Sequence, residues 1–172
     1  VENTGTGAAV LAPFGILMRH GEPQELKNFF ILHEGVVSMS DGELAEVDYD
    51  DMTDFAVDPD WRAQAEITAV EQSGWVGFTD HYWMTTLIPD QNTAFKSVLK
   101  YDAARDTYQT VALQGTQTLG AGGTAEVTTR LFAGAKEWAS IRSYENNAGV
   151  TGFLDSIDWG WFFFLTKPIF AV

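Results

Sequence analysis

The sequence predicts a mainly β fold carrying one short α-helix towards its C-terminus. Three observations predict it. Runs of about four to eight residues rich in β-branched and aromatic side chains recur along the chain, separated by Gly, Asp, Asn and Pro clusters. The pair Asp41-Gly42 stands between two such runs, a strong short-range sign of a β-hairpin. One stretch, 135–146, combines good helix formers with side chains repeating every third and fourth position.

In chain order, Phe29, Ile31 and His33 alternate with Phe30, Leu32 and Glu34 until Gly35 interrupts the run. Residues 36–39 and 43–47 form a hairpin across Ser40-Asp41-Gly42. Residues 66–71 and 75–88 make a second candidate pair, turning at Ser73-Gly74. Within it, 81–88 carries large apolar groups on both faces, as a strand covered on both sides does. Residues 94–101 and 107–113 flank a polar turn at 102–106 and give a third hairpin. Gly120, Ala121, Gly122 and Gly123 separate 116–119 from 124–132. There Val127, Thr129 and Leu131 share one face and Thr128 and Arg130 the other, an alternation that sets register by burying one face. In the helical stretch Trp138, Ile141 and Arg142 fall at helical spacing, and Asn146, Asn147 and Gly149 supply its end.

A chain of 172 residues with 45% apolar and 13% aromatic side chains can bury a core of its own, and neither an internal repeat nor a low-complexity linker divides it. One domain is expected. The 24 acidic residues against 10 basic give a formal charge of -14, a field that repels phosphate backbones, so nucleic acid is not an expected partner. Cysteine is absent, which removes disulfides, thiolate nucleophiles and Cys-ligated metal. The chain starts at Val1 with no charged and apolar leader behind it, so a targeting segment is expected outside this sequence. No stretch reaches the roughly 20 apolar residues of a membrane-spanning helix.

The residue patterns of familiar chemistry are weak. His20, His33 and His81 lie far apart, and His33-Glu34 lacks the second histidine of a zinc helix because Val37 stands in its place. The acidic run of Asp48, Asp50, Asp51, Asp54, Asp58 and Asp60 fails the EF-hand pattern at Met52, Thr53 and Pro59, and a solvated acidic loop explains it better than calcium. No Gly-x-Ser-x-Gly elbow or triad spacing occurs, and the glycines at 120–123 precede a strand rather than a phosphate-binding helix and read as a hairpin turn between 116–119 and 124–132. The sequence therefore predicts no catalytic residue, no metal and no cofactor, and the domain reads as a non-enzyme.

The C-terminus differs in kind. From Trp159 to Val172 it is aromatic on every side, with Lys167 its only charge. Trp159, Trp161, Phe162, Phe163 and Phe164 suit a membrane interface, where amphipathic rings are favoured, and Lys167 can extend its ammonium to the headgroups. Pro168 fits the first turn of a following helix.

Five blocks then carry a resemblance. The run DWGWFFFLTKPIF at 158–170 is similar to the approach to the second transmembrane helix in the YidC family of bacterial inner-membrane insertases. RHG at 19–21, FFILHEG at 29–35, GWVGFTDHYW at 74–83 with LIP at 87–89, and LFAGAKE at 131–137 resemble further blocks of that family's periplasmic domain. The resemblance implies a large β-sandwich similar to galactose mutarotase, a β-supersandwich with a helix packed on it, in a domain facing the periplasm and tethered to the inner membrane. It implies partners too: nascent inner-membrane proteins, accessory subunits of the Sec translocase, and the lipid bilayer surface through the C-terminal segment. The family's insertion groove and its functional arginine lie among transmembrane helices, outside this chain, and its periplasmic domain extends further on the N-terminal side. On this reading 1–155 is the sandwich domain, with the helix at 135–146, and 156–172 leads to a transmembrane helix beyond Val172. The competing class is a β-sandwich that binds or modifies carbohydrate, because a sandwich fold alone does not settle function.

Overall fold

The computed structural model describes residues 1–23 and 33–157. Twelve strands and two short α-helices are found there, and the strands form antiparallel sheets. One five-stranded sheet, sheet I, is ordered β2 (Phe14–His20), β10 (Thr107–Gln114), β9 (Phe95–Asp102), β6 (Ala63–Val70), β5 (Val57–Asp58). Sheet II is ordered β12 (Thr129–Ala135), β8 (Trp83–Pro89), β7 (Gly74–Thr79), β3 (Gly35–Ser40), β4 (Glu43–Asp48). A two-stranded ribbon pairs β1 (Ala9–Leu11) with β11 (Gln117–Leu119).

Two apolar cores make this a three-layer structure. Between the sheets, Val36, Val76, Phe78 and Leu87 of sheet II meet Val70, Phe95, Leu99 and Tyr108 of sheet I, with Tyr49 and Met52 of helix α1 (Tyr49–Thr53) at one end. On the other side of sheet II, Val37, Met39, Trp75, Met84, Ile88 and Phe132 lie under Ile141 of helix α2 (Trp138–Asn146), Val150 and Phe153. Alternate residues of β3 and β7 therefore enter different cores, and both strands are buried almost throughout. Sheet II has no water-facing side over these strands, the arrangement that apolar groups on both faces of 81–88 implied for β8.

The sandwich with a short C-terminal helix is as expected, and two hairpins stand as read. Asp41 and Gly42, at φ of 52° and 95°, make the two-residue turn between β3 and β4, the positive φ pair that matches strand twist. The Asp41 carboxylate also accepts hydrogen bonds from the backbone N–H groups of Glu71, Gln72 and Ser73 at 2.7–3.0 Å, and these hold its pKa below the usual carboxylate value. The hairpin β9–β10 turns at 102–106 as expected.

Four expectations are corrected. Residues 66–71 and 75–88 do not pair: β6 bonds to β9 and β5, β7 to β3 and β8, and the chain crosses between sheets at 71–73, where the Asp41 carboxylate holds it. The run 75–88 is itself folded into the β7–β8 hairpin at 80–82. Residues 116–119 and 124–132 do not pair either, because the N-terminus takes the place of a partner: the Asn3 side chain donates to the carbonyls of Leu119, Gly120 and Gly7 at 2.8–3.0 Å. Strand β12 begins only at Thr129, and it is Phe132 that lies in the core under α2 while Leu131 is 57% exposed. The helix starts at Trp138, three residues later than its composition suggests, since Ala135 pairs with Trp83 and the Lys136 N–H donates to the Tyr82 carbonyl.

Candidate functional site

The motif blocks that lie far apart in sequence meet at one end of the sandwich, around the β7–β8 turn. Alternation in β2 turns Leu17 and Arg19 inward. Arg19 Nη1 lies 3.1 and 3.2 Å from the two carboxylate oxygens of Asp80 and 3.4 Å from the Tyr49 hydroxyl, and its guanidinium carbon sits 5.4 Å from the Tyr49 ring centre. The Arg19 Nε donates to the Gly21 carbonyl within its own block. Lys136, from the LFAGAKE block, donates through Nζ to Thr79 Oγ1 at 3.0 Å. From the HEG block, His33 places one ring nitrogen 3.0 Å from Asp48 Oδ1 and the other 2.8 Å from the Val36 carbonyl, and Gly35 stands opposite both Asp48 and Thr79. One cation thus ties sheet I to the turn of sheet II and to α1.

Three phenols surround this clamp. Tyr49 and Tyr108 meet edge to face at 5.0 Å, and Tyr101 lies 4.7 Å from Tyr108. The Tyr108 hydroxyl donates to Glu22 and that of Tyr101 to Asp106, each at 3.2 Å. Burial pushes the Tyr49 hydroxyl up to about 12, with Asp80 adding to the rise and Arg19 opposing it. Tyr108 is raised by burial first and by Glu22 second. A raised phenol pKa favours the neutral form in the fold, so its contribution is complete below the unfolded value of 10.0 and is lost as pH rises towards 12. Stability is therefore expected to fall by about 3 kcal/mol across that window from Tyr49 alone, taking 1.36 kcal/mol per pKa unit. Urea melts from pH 9 to 12 check this (roughly the range of the phenol titration), and Tyr49→Phe should flatten the decline.

The Arg19–Asp80 pair is part wet, with side chains 28% and 38% exposed, so it orders the turn more than it stabilises it, at up to about 1 kcal/mol. The polar atoms of the cluster are taken up by one another, and what the arrangement does is fasten two sheets and a helix. Among the described residues no three His, Cys, Asp or Glu side chains gather at ligating distance. His81 packs edge-on against Tyr82 and His20 lies on an exposed strand position. The acidic run resolves into local chemistry: Asp50 and Asp51 occupy the first turn of α1, and Asp58 caps the N–H groups of Asp60 and Trp61. Elsewhere, a polar cavity of about 410 Å³ is lined by Asp90, Thr93, Gln114, Gln117, Glu126 and Thr128, with Val127 its apolar member.

The membrane-interface residues expected from the sequence, Trp159, Trp161, Phe162, Phe163, Phe164 and Lys167, lie outside the described residues. The sequence reading missed the clamp formed by Arg19, Tyr49, Asp80 and Lys136. Its signal was present in the RHG, DHYW and AKE blocks, which name three of those four side chains.

The chain matches the family described as the YidC periplasmic domain over residues 1–172. It is 60% identical over 172 residues to a membrane protein insertase YidC of Ruegeria sp. (strain TM1040), covering 100% of this chain and 28% of that relative. The protein of the same name from Ruegeria pomeroyi is 59% identical over 175 residues (99% and 29%), and that from Dinoroseobacter shibae 57% over 172 residues (100% and 28%). The chain spans less than a third of the length of these relatives. On these matches the chain belongs to the YidC periplasmic domain family, the periplasm-facing part of an inner-membrane protein.

Proposed function

We propose that this domain is a non-catalytic accessory to a membrane protein insertase, aiding insertion, folding and assembly of inner-membrane proteins, alone or with the Sec translocase. The observation that carries the reading is the clamp: the family's motif residues hold layers of the fold together, with Arg19 on Asp80 and Lys136 on Thr79, and compose a scaffold. A scaffold serves insertion by presenting surfaces to nascent inner-membrane proteins and to accessory subunits of the Sec translocase. It stands at the bilayer through the segment 156–172, with Trp159, Trp161, Phe162, Phe163, Phe164 and Lys167 at headgroup depth. The reading as a carbohydrate-binding or sugar-modifying sandwich would draw on the cavity around Asp90 and Glu126, which has carboxylates but no ring on which a sugar could stack.

Deleting residues 3–148 from the full-length protein tests the proposal. Substantial insertion of model substrates is expected to survive. Complete loss, with normal protein levels and normal membrane integration of the remainder, contradicts it, and saturable binding of a monosaccharide by the domain favours the sugar reading.

A further inference from the structure

The outward face of sheet I is an amphipathic plane in an acidic domain. Registers β2–β10, β10–β9 and β9–β6 align its residues in cross-strand rows. The central row is Ile16, Val111, Val98 and Ile67, and neither Val111 nor Val98 belongs to either core although both are almost wholly buried. By strand alternation they point to the face turned away from sheet II, opposite to Leu99, Tyr108 and Ala112 of the inner core. One flanking row contains Phe14 and Lys96, the other Met18 and Lys100. Phe14 and Met18 are 66% and 58% exposed, and Ile16 and Ile67 are also exposed. Of the twelve positions in these three rows, nine are apolar, two are Lys and one is Gln, and none is a carboxylate although the chain has 24. The next row, His20, Thr107 and Asp102, closes the plane, and its acid is engaged with Arg105.

We propose that this face docks on the anionic surface of the membrane beside which the domain stands. Apolar side chains with lysines among them match the boundary between acyl chains and acidic headgroups: the rings and branched chains enter the apolar layer while the lysine stems lie along it and the ammonium groups reach phosphate. The Lys100 ammonium lies over the Trp61 ring, 5.8 Å from its centre. A sheet suits the task because its backbone N–H and C=O groups are bonded within the ladder, so few peptide groups lose water on contact. The overall charge of -14 does not forbid it, since at physiological ionic strength charges more than about 8 Å away are largely screened. Membership of the family of periplasmic domains supplies the proximity, and the inference stands apart from the contact proposed for the aromatic segment at 156–172.

Flotation of the chain with vesicles of phosphatidylcholine, with and without phosphatidylglycerol, tests it. Binding is expected to strengthen markedly when phosphatidylglycerol is present. It should weaken about tenfold or more in Lys96→Glu with Lys100→Glu, and in Ile16→Thr with Met18→Thr, at unchanged melting temperature, while Lys96→Gln with Lys100→Gln gives an intermediate loss. The Phe162→Ser, Phe163→Ser, Phe164→Ser variant should keep the phosphatidylglycerol dependence. No binding by the parent chain, equal binding by the charge-reversed variant, or loss of the dependence in the triple serine variant alone overturns the proposal. Sedimentation showing a dimer that Ile16→Thr dissociates assigns the face to a second copy and overturns it also.

Discussion

Phe153→Ala is expected to lower the unfolding free energy by about 3–5 kcal/mol, a large part of the total for a domain of this size. Phe153 is wholly buried where a short 3-10 turn (Phe153–Ser156) caps the outer core. Its ring stands edge to face with Trp75 at 5.3 Å and Phe132 at 5.5 Å, and a further 5.5 Å separates it from Tyr144 of α2. Trp75 is fixed in turn by a hydrogen bond from its Nε1 to the Thr151 carbonyl at 3.0 Å. Truncation leaves a cavity at the junction of sheet II, α2 and the terminal turn, and their mutual contacts limit how far the site can collapse. Urea denaturation measures the loss, and amide exchange should show α2 opening before the sheets. Tyr82→Ala, at a side chain 69% exposed, should change stability by less than about 0.5 kcal/mol.

Gly77→Ala is expected to cost at least about 3 kcal/mol, or to prevent folding, because a methyl group is forced into backbone that cannot give way. A Cβ at this position of β7 would meet the Thr85 carbonyl oxygen and lie 2.6 Å from Thr86 Cα across the β7–β8 ladder. Both neighbours are main chain in a sheet buried on both sides, so relief requires moving a strand. Gly134→Ala on β12 is the matched control. Its nearest neighbour would be the Phe132 ring at 3.6 Å, an ordinary contact, and its melting temperature should stay close to that of the parent. Equal effects of the two substitutions would contradict the account of sheet II.

Much of the fold was legible where the determinant is local. Asp41-Gly42 and the polar turn at 102–106 dictate hairpins through backbone conformation, and both stand. What could not be read is the choice between sheets. Ser73-Gly74 resembles a turn, yet the chain changes layer there because both faces of β7 are apolar and must each meet a core. The glycines at 120–123 resemble another, but Asn3 supplies the bonds that a hairpin partner would have made. Helix propensity placed Ala135, Lys136 and Glu137 in α2, and pairing with Trp83 and Tyr82 overrides it for the first two. Strand β2, which carries Arg19 on one face and the apolar plane on the other, was not legible because its partner β10 lies far along the chain and no short-range hairpin marks it. The clamp shows the same limit: its residues lie in recognisable blocks, but Arg19 and Asp80 are 61 positions apart, and only the pairing of β2 in sheet I brings them together.

On the proposed function, the motif cluster fastens the fold of an accessory domain and takes no part in the insertion reaction. Insertion by the full-length protein carrying Arg19→Ala, Asp80→Ala and Lys136→Ala together, measured beside the melting of the same domain, tests it most directly. A lowered melting temperature is expected, with insertion retained wherever the domain is folded; insertion abolished while the domain melts as the parent does would overturn this role.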